Sequence, residues 1–525
     1  MDTIVDQTRL VDGLERLLRT IAGSVRRFET HISWVLVAGE HAYKIKKALQ
    51  LPYLDFSTLG ARRYYCLEEL RLNRRLAPHL YLDVVALSGS PERLEIGGAG
   101  EVLEYAVRMR AFEQEALWSF RVAHGLVGAP DAEALAHLLA RFHAAAAPAA
   151  ADQAWGNPDA VAATFGATLD ELAALVHDAG TRDCVEALRL WETKERARRK
   201  GVFAQRRAQG QVRECHGDLH CANILTLDGK VEVFDCIEFR ESLRWIDVMD
   251  DLAFVDMDLA RHGRPDLAAS LLSEYLAFTG DYDALAVLPY YRVHRALVRA
   301  KVMLLRSRQP PSAGEKESSA RDAAAYLGAA SAFALPGRAA IIITHGCSGS
   351  GKSTLAHALV PVLGAIQLRS DVERKRMHGI PATSRQRASP GGSMYDKAAT
   401  LRTYARLCEL ARAVADAGWP VIVDAAFLAR AQRAAFRSLA ADLGIPFFVL
   451  DVRAGRAAML ARLRARNKTG TDASDAGIEV LEWQMGAVEP LDATEPAIVV
   501  DTEGGLGPAQ VRMACMDILA ALGRT

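Results

Sequence analysis

Residues 341–354 read IIITHGCSGSGKST, an apolar, β-branched run that empties into Gly346, Gly349 and Gly351 and then Lys352 and Ser353. A strand this apolar is buried on both faces, as in a parallel sheet. The glycines that follow let the backbone curl until its N–H groups converge on one point. The spacing G-x-x-x-x-G-K-[ST] between strand and helix is that of a phosphate loop. Gly346, Ser348, Gly349, Ser350, Gly351, Lys352, Ser353 and Thr354 are therefore the expected contacts of a nucleotide triphosphate. Lys352 would reach the β/γ-phosphates, the Ser353 hydroxyl would ligate Mg²⁺, and the helix N-terminus would add its positive end.

Downstream, the same pattern of strand, polar end and helix recurs. IQLRSDVERKRM (366–377) ends a strand at Ser370 and Asp371, beside Arg374 and Lys375. VIVDAAF (421–427) puts Asp424 at the end of another buried strand, where an acidic residue would serve the metal. FFVLDV (447–452) reads as a further strand, and the helix AAMLARLRARN sets Arg462 and Arg466 four apart on one face. Strands alternating with helices in this way predict an α/β P-loop NTPase domain with a doubly wound parallel sheet.

The chain has 525 residues, too many for one core at roughly 100 to 200 residues per domain. Its clearest compositional break is SRQPPSAGEKESSA (307–320), followed by Pro336-Gly337. We expect a first domain over 1–306, a linker over 307–337 and the phosphate-loop domain over 338–525. Lys+Arg and Asp+Glu both number 64, so no global field draws the chain to a polyanion or a membrane surface. The start, MDTIVDQTRL, has no leader character and no apolar run approaches bilayer length, so a cytoplasmic location is expected. The eight cysteines follow no disulfide spacing and are expected as thiols. Cys215, Cys221 and Cys236 lie near His216 and His220, which raises zinc, but no C-x-x-C pair supports it.

In the first domain, HISWVLVAGEHAYKIKK (31–47) predicts two strands joined at Ala38-Gly39-Glu40. The helical stretch ARRYYCLEELRLNRRLAP follows, then strands over about 82–109, and from about 130 the chain reads as mostly helical. Within that helical part stands ECHGDLHCANILTLDGKVEVFDCIEF. Asp218, Asn223 five residues on, and Asp235 beyond a Leu-Asp-Gly-Lys turn make the set that phosphoryl transfer needs. One carboxylate orients and deprotonates the attacking hydroxyl, while a second carboxylate and an amide oxygen hold Mg²⁺.

These residues resemble the aminoglycoside phosphotransferase and choline kinase branch of the protein-kinase-like fold, whose catalytic loop reads H-G-D-x-H-x-x-N. His216, Gly217, Asp218, His220 and Asn223 match it position for position. The resemblance implies an α+β bilobal domain with Asp218 as catalytic base, Asn223 and Asp235 as metal ligands, and Asp251 as a support of the loop. It also implies a lysine that pairs the nucleotide phosphates, for which Lys44 is the first candidate and Lys46 the alternative, with Glu69 or Glu68 as ion-pair partner. THISWVLVAGE lacks the glycine-rich loop of protein kinases, which argues against a protein substrate. The acidic run DVMDDLAFVDMD (247–258) either meets a cationic acceptor or is a helix with a structural aspartate.

The second half resembles small phosphate-loop kinases related to chloramphenicol phosphotransferase, zeta toxin and the polynucleotide 5′-kinase domain. By that resemblance Asp371 is the candidate base, Arg374 binds the acceptor, and Arg462 and Arg466 form a lid. The competing readings are a helix N-cap for Asp371 and a solvated face for the arginines. A loop over 378–397, with Arg385 and Arg387, is expected on the acceptor side. The whole resembles bacterial fusions of the two domains. It implies a bifunctional phosphotransferase using ATP and Mg²⁺ on small hydroxyl-bearing acceptors, with neither a membrane nor a nucleic acid as partner. The alternatives are an ATP-binding sensor and a nucleic-acid 5′-end kinase. Acceptor and oligomeric state are not written in the sequence.

Overall fold

Trp34 and Leu36 on the strand Ser33–Ala38 and Tyr43 and Ile45 on His41–Lys46 point into one core, and the two strands turn at Gly39, whose φ of 56° suits glycine. They belong to a six-stranded antiparallel sheet in the order Arg26–Glu29, Ser33–Ala38, His41–Lys46, Val102–Arg110, Tyr81–Ser90, Arg93–Ile96. Leu10, Val11, Leu14 and Leu18 of the helix Ile4–Ala22 pack against one part of it. Cys66 and Leu70 of the helix Leu59–Asn73 pack with Ala42, Val107 and Met109. The computed structural model describes residues 4–51, 54–308, 313–380, 396–469 and 477–523. It divides into two compact units, the first made of Met1–His177, Thr193–Asp258 and His294–Lys301.

Helices dominate the first unit beyond the sheet. Ala129–Ala145 stops ahead of Pro148, and Pro158–Leu175 is capped by the Asn157 side chain, which accepts from Ala160 N. The H-G-D segment runs from the strand Val212–Glu214 through a short 3₁₀ turn, Cys221–Asn223, into the hairpin Ile224–Leu227 and Lys230–Val233. That hairpin turns on Asp228 and Gly229 with φ of 50° and 74°, as a two-residue primed turn requires.

The second unit is Asp178–Glu192, Leu259–Val293 and Val302–Thr525. Its sheet is five-stranded and wholly parallel, in the order Ile366–Arg369, Val421–Asp424, Ile341–His345, Phe447–Arg453, Ala497–Asp501. Both faces of the central strand are buried, which is why IIITH is apolar throughout apart from its end. Leu355, Leu359 and Leu363 of the helix Lys352–Leu363 and Ala514 and Ile518 of Pro508–Ala521 share a core with Ile342, Ile422, Leu450 and Val500.

This unit takes in more than the residues after 338. The helix Pro265–Thr279 lends Ala269 to the same core, and its Ser273 hydroxyl accepts a hydrogen bond from Gln367 N (3.1 Å) on the edge strand Ile366–Arg369. Tyr282 donates to Glu373 at 3.2 Å, and both side chains are buried. The stretch 307–337, read above as a linker, contains the helix Ala313–Phe333, which buries Ala323, Tyr326, Leu327 and Ala330. The small and charged residues at its start read as a compositional break, yet the alanines that follow are the best helix formers. Among the described residues no helix is long and apolar enough to cross a membrane.

Candidate active sites

In the first unit the H-G-D turn depends on Gly217, whose φ is 87° and whose absent Cβ would stand 2.6 Å from Leu243 O. Asp251 fixes that turn: its two oxygens accept from His216 N (3.0 Å) and Gly217 N (2.9 Å), and His143 Nε2 donates to it at 3.2 Å. Burial opposes the Asp251 charge, but the hydrogen bond and charge of His143 and the backbone donors hold its carboxyl at about 2. His216 accepts from Asp218 N at Nδ1 (3.2 Å) and donates from Nε2 to Phe234 O (2.8 Å), which a neutral ring satisfies. Asp218 takes a hydrogen bond from Asn223 Nδ2 (3.1 Å), and His220 Nε2 lies 3.4 Å from it. Although burial works against it, the His220 side chain and the Arg299 guanidinium hold the Asp218 carboxyl well below the usual carboxylate range.

Asp235 sits at φ 65°, an unusual backbone state for a non-glycine residue and one that collects at functional sites. Two contacts hold it there: Asp235 N donates to the Tyr81 hydroxyl (3.2 Å) and Cys236 N to Asn73 Oδ1 (2.9 Å). Lys44 donates to Glu69 (2.8 Å) and to Asp235, while Lys46 donates to Glu69 (2.7 Å) and Glu238. Lys44 is thus the lysine beside Asp235, and Glu69 is the shared carboxylate. Glu68 instead pairs with Arg71 and Arg244. Burial works against the Glu69 charge, yet the two lysines bring its carboxyl down to about 2.

The donor set fits a hard cation. Asn223 turns its Nδ2 to Asp218, which leaves the amide oxygen, and with the Asp235 carboxylate it offers the oxygen ligands that Mg²⁺ prefers. Zinc is a poorer match. Cys215 and Cys221 are buried thiols whose pKa burial pushes far up, and Cys215 Sγ is spent on Ile246 O. Among the described residues, His143, Cys215 and Asp251 do bring donor atoms within 4.8 Å of one another, but the Asp251 oxygens already carry the loop.

The acidic run 247–258 is turned inward. Asp247 pairs with Arg206, Asp250 accepts from Arg295 Nε and Nη2 (2.7 and 3.0 Å), and Asp258 accepts from Cys221 N (2.9 Å). It is a helix of structural aspartates, and a cationic acceptor has no acidic surface to meet there. Arg295 also donates to Gly217 O (3.1 Å). Sequence reading missed Arg295 and Asn73, and took in Asp258 only as the last residue of the acidic run. Only Asp258 left a trace, since it lies seven residues after Asp251 on the same helical face.

In the second unit the phosphate loop leaves the strand Ile341–His345. A Cβ on Gly346 would stand 2.5 Å from Val452 O and one on Gly349 2.8 Å from Met459 O, so a side chain at either would displace backbone. Lys352 donates to Cys347 O at 2.8 Å, and burial lowers its pKa. Asp424 takes hydrogen bonds from Gln367 Nε2 (3.1 Å) and Ser353, and burial raises its pKa. A hydroxyl and a carboxylate together again suit Mg²⁺. These groups open on a cavity of about 630 Å³ that Asp371, Arg374, Arg466 and Trp483 also line.

Asp371 lies in the first turn of the helix Ser370–Met377, whose N-cap is Arg369, so the capping alternative does not apply. Arg374 follows one turn on, 3.8 Å from Asp371. The two lid candidates separate: Arg462 donates to Gly349 O (3.2 Å), Ser350 O (3.3 Å) and Thr502 Oγ1 (3.1 Å), so it stitches the loop. Arg466 lines the cavity, where its charge opposes that of Lys352. Gln484, which sequence reading missed, accepts from Ser348 N at 2.7 Å. Arg385 and Arg387 lie outside the described residues.

Two family models match the chain: the phosphotransferase enzyme family over residues 61–288 and an AAA domain over 341–491. The uncharacterized protein Rv2004c of Mycobacterium tuberculosis is 30% identical over 446 residues, spanning 85% of this chain and 87% of that protein. The uncharacterized protein Mb2027c of Mycobacterium bovis matches to the same extent. Among solved structures, the chain is similar to a choline/ethanolamine kinase family protein of Mesorhizobium loti (13% identity, 61% of this chain and 99% of that one, TM-score 0.36). It is also similar to a sugar kinase of Janibacter sp. (23% identity, 36% and 99%, TM-score 0.28).

Proposed function

Since the chain belongs to one family with the mycobacterial protein Rv2004c and joins a phosphotransferase-family region to a P-loop kinase region, we propose that it is a bifunctional, ATP-dependent phosphotransferase. Each half, 1–306 and 338–525, would phosphorylate a hydroxyl of its own small acceptor. The observation that carries this reading is twofold: one unit has the Asp218–Asn223 contact, with Asn223 O bonded to Phe234 N next to Asp235, and Lys44 bridging Asp235 and Glu69, and the other unit has a complete phosphate loop that shares a cavity with Asp424 and Asp371.

In the first site, Asp218 orients the acceptor hydroxyl. The hydroxyl oxygen bonds to the γ-phosphorus as the bridging P–O bond to the β-phosphate breaks, and ADP leaves with that bond's electrons. The hydroxyl proton passes to Asp218, which takes it late because its carboxyl holds protons weakly. MgATP supplies the phosphoryl group and neutralises its charge. Lys44 would hold the phosphates in register, and Asn223 and Asp235 would hold the metal. In the second site Lys352 and Arg466 would face the transferring group, Ser353 and Asp424 would hold the metal, and Asp371 would orient the acceptor with Arg374. Buried thiols and the absence of disulfides among the described residues suit the cytoplasm.

The test is transfer of labelled γ-phosphate from MgATP into a cell-extract metabolite pool, comparing wild type with Asp218→Ala and Lys352→Ala. We expect each variant to lose one labelled product and keep the other. No labelled product at all, with ATP still bound, would instead favour an ATP sensor, and label on RNA 5′ ends would favour an end kinase.

A further inference from the structure

Two lysines, not one, stand behind the first site. Lys44 and Lys46 flank Ile45 on one strand, so both ammonium groups fall on the same face. Each takes a different oxygen of Glu69, Lys44 at Oε1 and Lys46 at Oε2. Their other partners differ in exposure: the Asp235 carboxylate met by Lys44 is 41% exposed, and the Glu238 carboxylate met by Lys46 is 3% exposed. One Lys–Glu pair would serve phosphate binding. A second lysine and a second carboxylate, both buried, bring a desolvation cost that the first pair does not explain.

We propose that Lys46 and Glu238 are positioning residues: Glu238 holds Lys46, and Lys46 holds Glu69 and the middle of the helix Leu59–Asn73 in place independently of Lys44. The inference rests on the phosphotransferase reading of this site. Asp235 is the carboxylate a metal would draw on, so Lys44 must share or yield that contact when the site fills. If Lys44 were the sole partner of Glu69, the carboxylate would follow it. With Lys46 fixed on the other oxygen, Glu69 keeps its place while Lys44 turns to phosphate. Burial works against the Lys46 charge, but Glu238 and Glu69 outweigh it, so the ammonium stays protonated. The Phe56 ring lies 5.0 Å from it. The ends of the helix have their own anchors, Arg62 on Glu104 (2.9 Å) and Asn73 on Cys236 N, and Cys66 and Leu70 pack its apolar face, so what the lysines hold is the buried Glu69 carboxylate between them.

The experiment uses the full chain carrying Lys352→Ala, so that binding of a fluorescent ATP analogue reports the first site, together with amide hydrogen exchange over 59–73. In Lys44→Met we expect analogue binding to be lost while exchange stays within about twofold of the parent. In the double variant Lys46→Met/Glu238→Leu, which leaves no orphaned charge and so should fold, we expect exchange to rise and affinity to fall about tenfold each, with Lys44 still present. Parent-like exchange and affinity in the double variant would overturn the proposal. So would a Lys44→Met helix that loosens as much as the double variant. Analogue binding retained in Lys44→Met would refute the phosphotransferase reading and the proposal with it, and the exchange data tell that failure from failure of the pair alone.

Discussion

Asp251 shows how much one carboxylate can hold. It satisfies two backbone N–H groups and a histidine at the turn that presents Asp218. Asp251→Ala leaves those donors buried and unpaired, and we expect a stability loss of about 3–5 kcal/mol by denaturant unfolding. His294 gives the chain acid sensitivity. Burial first, then the charges of Arg295 and Lys301, lower its pKa from 6.5 to about 3. The unfolded chain binds that proton before the folded one does, so stability falls as pH drops from about 6.5 towards 3, by up to about 5 kcal/mol. Thermal melts across that window should show the fall, and His294→Leu should flatten it. What the sequence revealed at this scale was local spacing: His216 to Asn223 sit within one turn and hairpin. Arg295 and Asn73 stayed hidden because each reaches the loop from a distant segment, and nothing in the residues beside them marks the contact.

The helix Arg456–Thr469 carries two arginines one turn apart with different work. Arg462→Ala removes a donor to two phosphate-loop carbonyls, so both nucleotide affinity and Tm should fall. Arg466→Ala should lower the turnover of the second site by about 100-fold with little change in Tm, because it faces the cavity. Equal Tm losses in the two variants would contradict this division. Periodicity located the helix and the shared face of the arginines, but the burial of Thr502 and the loop carbonyls decided which arginine turned where. Strands were the most legible elements, since apolar runs of four to six residues bounded by glycine or aspartate have few other solutions.

At the scale of the molecule, the second unit borrows from upstream. Ala269, Ser273 and Tyr282 complete its core, its edge strand and the helix bearing Asp371, although the phosphotransferase model extends to residue 288. A fragment 338–525 should therefore be less stable than the same residues in the full chain, by melting or by protease resistance. A fragment as resistant as the full chain would deny that role to residues 259–293. The sequence offered a boundary at 307–337 because composition changes there, whereas packing partners leave no mark in composition.

The borrowed helix also bears on how such a gene can change. A break in the reading frame at the apparent seam would separate Ser273 from the strand it covers and Tyr282 from Glu373, so the downstream product would start life with an uncovered sheet edge. Fission and domain shuffling at that point carry a penalty that drift in the surrounding sequence does not remove. The two halves are then expected to be inherited as a unit.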